Sequence, residues 1–431
     1  MSATEADRIR ARATAGPGRL RICVLLGGNA AERTVSIASG IAVSTALLAL
    51  GHRVWVHDPA TGTCFERSPG DDADLPGRLG LPAGGRGLPR DDASDEERIA
   101  RTRRIVPALA EIDPSEIDVV LSVLHGGVGE GGAVPAMLDL LGLPYVGSDP
   151  IASAVTLDKE HTKRVLQAAR IPVAADFLWL PSEASAAQEG CAPSAAHPDR
   201  VATANGPGHA ASVVDAGRAA PSTADSPGAV PERVCRDALP GPDWVARLGG
   251  YPAVVKPLLE GSTVGLSIVK EPAEWAQAWT TGAPYAHPTR GLLVERYIAG
   301  KEITVAVVGD EVLPVVEIVP RTGFYDFEHK YTKGETEYRV PAPLAEATTQ
   351  RLQELALRAF RALGCRDLAR IDFRLSELDE PYCLELNTLP GMTETSLVPM
   401  ASRTIGIEFG ELLELLCRIA LSRNGGGYET R

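Results

Sequence analysis

The sequence predicts a multidomain chain that begins as α/β and continues as α+β. An open, mostly parallel sheet should run to about residue 150, with a largely antiparallel second half. In the first part, short apolar runs alternate with helical periodicity, the pattern of repeated βαβ units. Beyond residue 250, strand-like runs follow one another with a single amphipathic helix among them. A chain of 431 residues also exceeds what one hydrophobic core usually serves, so two or three domains are expected.

In chain order, residues 1–19 have no apolar pattern and read as a disordered tail. Arg21 to Leu26 is a short apolar strand entering the turn Gly27-Gly28-Asn29. From about Glu32, apolar positions at Val35, Ala38, Ile41 and Leu48 predict a helix stopped by Gly51. Val54 to Val56 reads as a second strand. Residues 62–100 are rich in Gly, Pro, Asp and Arg and read as an irregular excursion before a polar helix near Asp95 to Leu109. Asp118 to Leu124 and Leu143 to Val146 complete the strands of a first domain spanning 20–150.

A central domain is assigned to 151–290. It is interrupted at 182–240 by a stretch of Ala, Pro, Ser, Gly and Asp with too few bulky apolar residues to offset its ordering entropy, which predicts a disordered insertion. Strands are then expected at Ala253 to Val255, Leu292 to Tyr297, Ile303 to Val308, Val312 to Val319, Ala369 to Leu375 and Tyr382 to Leu386, with a helix over Leu344 to Leu363. The third domain is assigned to 291–422, and 423–431 to a tail.

The formal net charge of -13 argues against a general nucleic-acid binder, which needs a basic field, while leaving room for a small anionic ligand in a local basic pocket. No signal-peptide h-region and no apolar run of about 18 residues is present, so no membrane role and a cytoplasmic location are expected. The seven cysteines are scattered and never spaced C-x-x-C, unlike a disulfide framework or zinc site.

Two segments concentrate chemistry. In A-R-I-D-F (369–373) and Y-C-L-E-L-N (382–387), strand alternation puts Arg370 and Asp372 on one face, and Glu385 and Asn387 on the face opposite Leu384 and Leu386. Two carboxylates and an amide oxygen are hard donors of the kind Mg²⁺ takes when phosphate and water complete its shell. The same four residues would also suit a surface hairpin with a salt bridge from Arg370 to Asp372 or Glu385. The loop T-L-P-G-M-T-E-T-S (388–396) follows at once. Its Gly391 lets a backbone N–H approach an oxyanion, or it is an ordinary turn before a helix.

Lys256 ends a strand before E-G-S-T-V-G (260–265), whose amides and hydroxyls suit a flap over phosphates, though a plain hairpin turn reads the same way. Lys159 begins a helix and alone reads as a solvated charge. Glu295 and Glu302 flank a segment whose backbone could read an adenine edge while a carboxylate takes ribose hydroxyls. Tyr325 to Tyr338 is aromatic and charged enough for a lid. Glu32 and His125 sit just past parallel strands, where α/β sheets bind ligands.

In order, L-L-G-G-N-A-A-E-R-T-V-S (25–36), L-H-G-G-V-G-E-G-G (124–132), L-D-K-E-H-T-K (157–163), V-K-P-L-L-E-G-S-T-V-G (255–265), F-Y-D-F-E-H-K-Y (324–331), A-R-I-D-F-R (369–374) and L-E-L-N-T-L-P-G-M-T-E-T-S-L-V-P (384–399) resemble the D-alanine-D-alanine ligase family of the ATP-grasp superfamily. The resemblance implies a two-part ATP-grasp fold after the first domain and ATP-dependent joining of two D-alanines for peptidoglycan. It implies that Lys159, Lys256 and the flap residues Ser262 and Thr263 meet ATP phosphates, that Glu295, Ile298 and Glu302 meet adenine and ribose, and that Lys330 reaches phosphate from the lid.

By the same resemblance, Asp372, Glu385 and Asn387 should hold two Mg²⁺ ions, for which Mn²⁺ can substitute. Glu32, with Ser262 and Tyr331, should receive the first ammonium, and His125 should lie beside it. Arg370 and Gly391 should hold the oxyanion and Ser396 the second carboxylate. A homodimer through the first domain is implied too. Thr263 and Gly131 depart from the family pattern, which usually has Ser and Asp there; Thr263 keeps a hydroxyl. The alternatives are D-alanine-D-lactate or D-alanine-D-serine ligation and, from another class, a non-catalytic ATP-binding module on the same fold.

Overall fold

The computed structural model describes residues 4–13, 18–81, 91, 93–181, 234–320 and 336–424. Helix α1 (Glu5–Arg12) precedes a five-stranded sheet of order β3-β2-β1-β4-β5. Its strands are β1 (Arg21–Leu25), β2 (Arg53–Asp58), β3 (Thr63–Glu66), β4 (Val119–Ser122) and β5 (Tyr145–Val146). β2, β1, β4 and β5 are parallel and β3 closes one edge antiparallel. The helices between them are α2 (Arg33–Ala49), the short α3 (Leu75–Arg78), α4 (Asp95–Ala110), α5 (Gly127–Glu130) and α6 (Ala133–Leu140). The expected irregular excursion at 62–100 thus contains β3, α3 and the start of α4.

Helices α7 (Pro150–Leu157) and α8 (Lys159–Ala168) lead to a second five-stranded sheet, β7-β6-β10-β8-β9. It comprises β6 (Asp176–Trp179), β7 (Val234–Cys235), β8 (Ala253–Lys256), β9 (Ser267–Val269) and β10 (Leu292–Arg296), with α9 (Pro242–Leu248) and α10 (Trp275–Gly282) beside it. Trp179 packs edge-on against Trp275, with ring centroids 5.4 Å apart, filling this sheet's core. The expected insertion at 182–240 ends early, because Val234 and Cys235 pair with β6; residues 182–233 lie outside the described residues.

The third sheet joins β11 (Gly300–Val308), β12 (Glu311–Val312), β13 (Val316–Pro320), β14 (Thr336–Arg339), β15 (Leu368–Ser376) and β16 (Pro381–Asn387), all antiparallel. The strand expected over Val312 to Val319 is two strands, because Pro314 lacks the N–H a continuous ladder needs. Helix α11 (Glu346–Ala362) buries Leu352, Leu355, Ala356 and Phe360 against one face. Helices α12 (Leu397–Thr404) and α13 (Phe409–Asn424) return to the first sheet, where Leu412, Leu413 and Leu416 share a core with Ile22, Val24 and Leu121.

Residues 5–12, expected within a disordered tail, instead form α1. Thr4 and Asp7 cap one another reciprocally. Ile9 is fully buried, while Arg8 pairs with Glu311 at 2.7 Å and Arg10 with Glu411 at 2.6 Å. Arg12 adds pairs with Asp310 and Glu311, so one apolar stripe and four long-range ion pairs order eight residues that lack a strong hydrophobic pattern. No described helix is long and apolar enough to cross a membrane.

Candidate functional site

The loops and helices after β1 and β4 join the second and third sheets around one cavity of about 770 Å³, lined among others by Glu32, His125, Lys159, Lys256, Ser262, Thr263, Ile298, Glu302, Arg370, Asp372, Glu385, Asn387, Gly391 and Ser396. The sequence therefore identified residues that the fold brings together from more than 360 positions of chain. Lys330 and Tyr331 lie outside the described residues.

Glu32 stands at the start of α2, directly after the turn from β1. Gly27 and Gly28 make that turn at φ of 81° and 82°, and a Cβ on Gly27 would come within 2.6 Å of Asp58. Asp58 holds the turn in place: Arg33 Nη2 donates to Asp58 Oδ2 at 2.5 Å and Arg33 Nη1 to the Gly28 carbonyl at 2.9 Å. The flap reaches across to the same carboxylate, Ser262 Oγ donating to Glu32 Oε1. At the flap tip, Ser262 and Thr263 both take positive φ, 46° and 60°.

His125 follows β4. Burial favours its neutral form more than the Glu32 charge opposes it. Its Nδ1 lies 2.9 Å from the Leu389 carbonyl and therefore donates, leaving Nε2 to accept from Ser39 Oγ at 3.2 Å. Ser39 Oγ in turn accepts from Met392 N at 3.4 Å. The histidine thus anchors the 388–396 loop to the first domain. Beside it, burial and then the Glu32 charge push the Glu130 carboxyl up to about 8. Sequence reasoning passed over Glu130, although it lies inside the quoted segment 124–132.

Lys159 opens α8, whose start is pinned by Asp158 accepting from the Glu160 and His161 amides at 3.1 Å. Its Nζ donates to the Glu260 carbonyl at 2.6 Å and lies 3.5 Å from Glu385 Oε2. Lys256, at the end of β8, pairs with Glu295 Oε2, and Lys163 pairs with Glu295 Oε1. Burial resists the Glu295 charge, but the two ammoniums outweigh it and hold the carboxyl down to about 2. Its carboxylate is therefore committed to lysines. Glu302, 3.4 Å from Arg374, is the more open acid on this wall. Lys163 was not singled out in the sequence; the available signal was its spacing of four residues from Lys159 on one helix face.

Across the third sheet, Asp372 faces Glu385 and Arg370 faces Asn387. Asp372 accepts from Arg370 Nε at 2.9 Å, Arg370 Nη2 at 2.7 Å and Thr304 Oγ1 at 2.6 Å. The salt bridge anticipated for a plain hairpin is present, but it faces the cavity. Leu384 was expected on the opposite face from Glu385, yet it lines the cavity too. The register shifts between Asp372 and Phe373, so the bulged strand turns both residues the same way. Asn387 Oδ1 accepts from Leu389 N at 3.0 Å, and Ser396 Oγ accepts from Thr393 N at 3.0 Å.

Among the described residues no three Asp, Glu, His or Cys side chains converge as a metal cage. Asp372, Glu385 and Asn387 offer instead a partial set of hard oxygens on one open face. That set fits an ion whose remaining ligands come from phosphate and water.

Glu32 and Glu130 line the cavity from the first domain, while Lys159, Lys256 and Arg370 line it from the other two, each beside a carboxylate: Glu385, Glu295 and Asp372 in turn. The Glu32 carboxylate suits an ammonium, and the cations suit phosphates.

Comparison with known proteins matches both parts of the chain to one family. Residues 21–148 match the family model for the D-ala D-ala ligase N-terminus and residues 242–418 that for the C-terminus. A D-alanine--D-alanine ligase of Synechococcus sp. (strain JA-2-3B'a(2-13)) is 35% identical over 94% of each chain. That of Desulforudis audaxviator is 36% identical over 94% of this chain and 99% of its own, and that of Aquifex aeolicus 32% over 92% and 99%. Among solved structures, the VanG D-Ala:D-Ser ligase of Enterococcus faecalis superposes with a TM-score of 0.62 at 22% identity, covering 93% of this chain and 99% of that one.

Proposed function

The chain belongs to the D-alanine–D-alanine ligase family, and from that premise we infer that it joins two D-alanines to D-alanyl-D-alanine, using ATP, for peptidoglycan precursor synthesis. The observation that carries this reading to the residues is that Glu32, the cations Lys159, Lys256 and Arg370, and the oxygen donors Asp372, Glu385 and Asn387 all line one cavity.

Glu32, gripped by Ser262, receives the ammonium of the first D-alanine and turns its carboxylate toward the cations. Lys159 and Lys256 hold the ATP phosphates, with the Ser262–Thr263 flap above them. Ile298 and Glu302 face adenine and ribose. The first carboxylate attacks the γ-phosphorus, the bond to the β-bridging oxygen breaks, and ADP leaves an acyl phosphate. The second D-alanine, its carboxylate held at Ser396, attacks the acyl carbon through its amine. Arg370 and the Gly391 N–H hold the resulting oxyanion until phosphate departs. Asp372, Glu385 and Asn387 would hold Mg²⁺, which neutralises charge on the phosphate oxygens. The reading includes a cytoplasmic homodimer.

The presence of Arg370, Asp372, Glu385 and Asn387 at one cavity favours catalysis over a silent nucleotide-binding module. The test is phosphate release from ATP with D-alanine, using L-alanine as control. We expect D-alanine-dependent release with a dipeptide product, reduced by at least about 10³-fold in Asp372→Ala and Glu385→Ala, as loss of several kcal/mol of charge stabilisation implies. Release independent of D-alanine would overturn the reading. D-lactate and D-serine as second substrates distinguish the depsipeptide and D-serine alternatives.

A further inference from the structure

We propose that Lys163 is a positioning residue for nucleotide binding: a fixed counter-ion that keeps Glu295 neutralised when Lys256 turns from Glu295 to a phosphate. This rests on the assignment of Lys256 to the ATP phosphates.

The argument begins with strand register. Glu295 on β10 lies directly opposite Asp176 on β6, two carboxylates side by side on one sheet face. Both are buried, and like charges so placed repel. Lys163 resolves the conflict. From α8 its ammonium donates to Glu295 Oε1 and, at 2.8 Å, to the Ala174 carbonyl, and it lies 3.6 Å from Asp176 Oδ1. Two hydrogen bonds and the nearby Asp176 carboxylate thus hold the Lys163 ammonium on the side of Glu295 away from the cavity. It is 1% exposed and lies behind the cavity wall that Glu295 forms.

Lys256 is placed differently. On β8 it is a diagonal neighbour of Glu295, because Leu293 is its direct partner and Val254 is that of Glu295. It pairs with the other carboxylate oxygen and faces the cavity. Arg164 lies 2.8 Å from Asp176 and so gives that carboxylate a cation of its own. Of the two lysines on Glu295, Lys256 is the one that lines the cavity and can turn toward an anion. A phosphate therefore competes with Glu295 for Lys256 without stranding a buried carboxylate, because Lys163 remains on it. With Lys163 replaced by an apolar residue, drawing Lys256 away would leave Glu295 buried with no counter-charge, a state costing several kcal/mol.

The experiment measures ADP and adenosine affinity by calorimetry on the full chain. Both probes test the adenine wall, but only ADP tests the exchange. Lys163→Met should weaken ADP by about tenfold or more and adenosine by less than about twofold, and Lys163→Arg should restore most of the loss. In a Glu295→Gln background the Lys163→Met change should leave ADP affinity unaltered, since no charge then needs holding. Equal loss for both probes, or no loss, overturns the proposal. If Lys163→Met alone does not fold, the Glu295→Gln pair still decides: a tenfold loss of ADP affinity on adding Lys163→Met would refute the exchange. Lys256→Met is the separate control. If it spares ADP, the assignment of Lys256 to phosphates is wrong.

Discussion

Glu295 and Glu130 are two largely buried glutamates on the walls of one cavity, and they are held in opposite charge states. Two lysine ammoniums flank Glu295 and keep it ionised to about pH 2. Glu130 has burial and a neighbouring carboxylate, Glu32, against it and takes a proton up to about 8. The difference teaches that burial alone does not set the charge of a site; the neighbours fixed by register and helix facing do. At the second sheet the fold supplies two lysines to one carboxylate. At the first sheet Glu130 faces the carboxylate Glu32, and an incoming ammonium would change that balance.

The largest effect expected to break this contrast is on Glu295→Ala. Removing the carboxylate leaves Lys163 and Lys256 buried against each other, and we expect a loss of about 3–5 kcal/mol in denaturant unfolding. A loss below about 1 kcal/mol would mean that the ion cluster is not what holds β6, β8 and β10 together.

Opposite pH responses come next. The Glu130 pKa is raised, so the folded chain binds a proton that the unfolded chain releases above its ordinary value of 4.5. Its contribution to stability is complete below that value and is lost as pH climbs to about 8, with a slope up to about 1.4 kcal/mol per pH unit. Glu295 is depressed, so its contribution is present above 4.5 and lost as pH falls toward 2. Melting temperature against pH should show Glu130→Gln flattening the fall between about pH 4.5 and about 8 while leaving the fall below 4.5 unchanged. A flattening confined to pH below 4.5 would assign the proton to another group.

The smallest effect sharpens the contrast between buried and exposed pairs. Arg10→Ala removes a bond to Glu411 in which both side chains are more than a third exposed. We expect no more than about 1 kcal/mol from equilibrium unfolding.

Legibility in the sequence followed the range of the interactions. β1, α2, β4 and β15 were readable because each carries its pattern within a dozen residues, and the pairing of Asp372 with Glu385 followed from alternation on two adjacent strands. β9, at three residues, is too short to display a period, and β6 was missed although it is as long as β4, its D-F-L-W lacking the continuous β-branched run of V-V-L-S. The N-terminal helix was misread from its charged composition, although Thr4 and Asp7 at capping-box spacing were there to be seen. What no local pattern could reveal was Lys163 meeting Glu295, 132 positions away, or the bulge that turns Leu384 into the cavity. Those depend on how sheets and helices face one another after packing.

Helix α13 has a further consequence for synthesis. It covers the first sheet, its Leu412, Leu413 and Leu416 sharing a core with Ile22, Val24 and Leu121. The strand residues it meets therefore emerge from the ribosome roughly 290 to 390 residues before it does. Until then α2 alone shares that face with its Ile37, Val43 and Leu47, and the part that the last helix covers stands open to water, a species prone to self-association. The first domain is thus not an independent early product of translation. It is finished only when the last described helix arrives, and a chain interrupted before residue 409 should depend on chaperones to stay in solution.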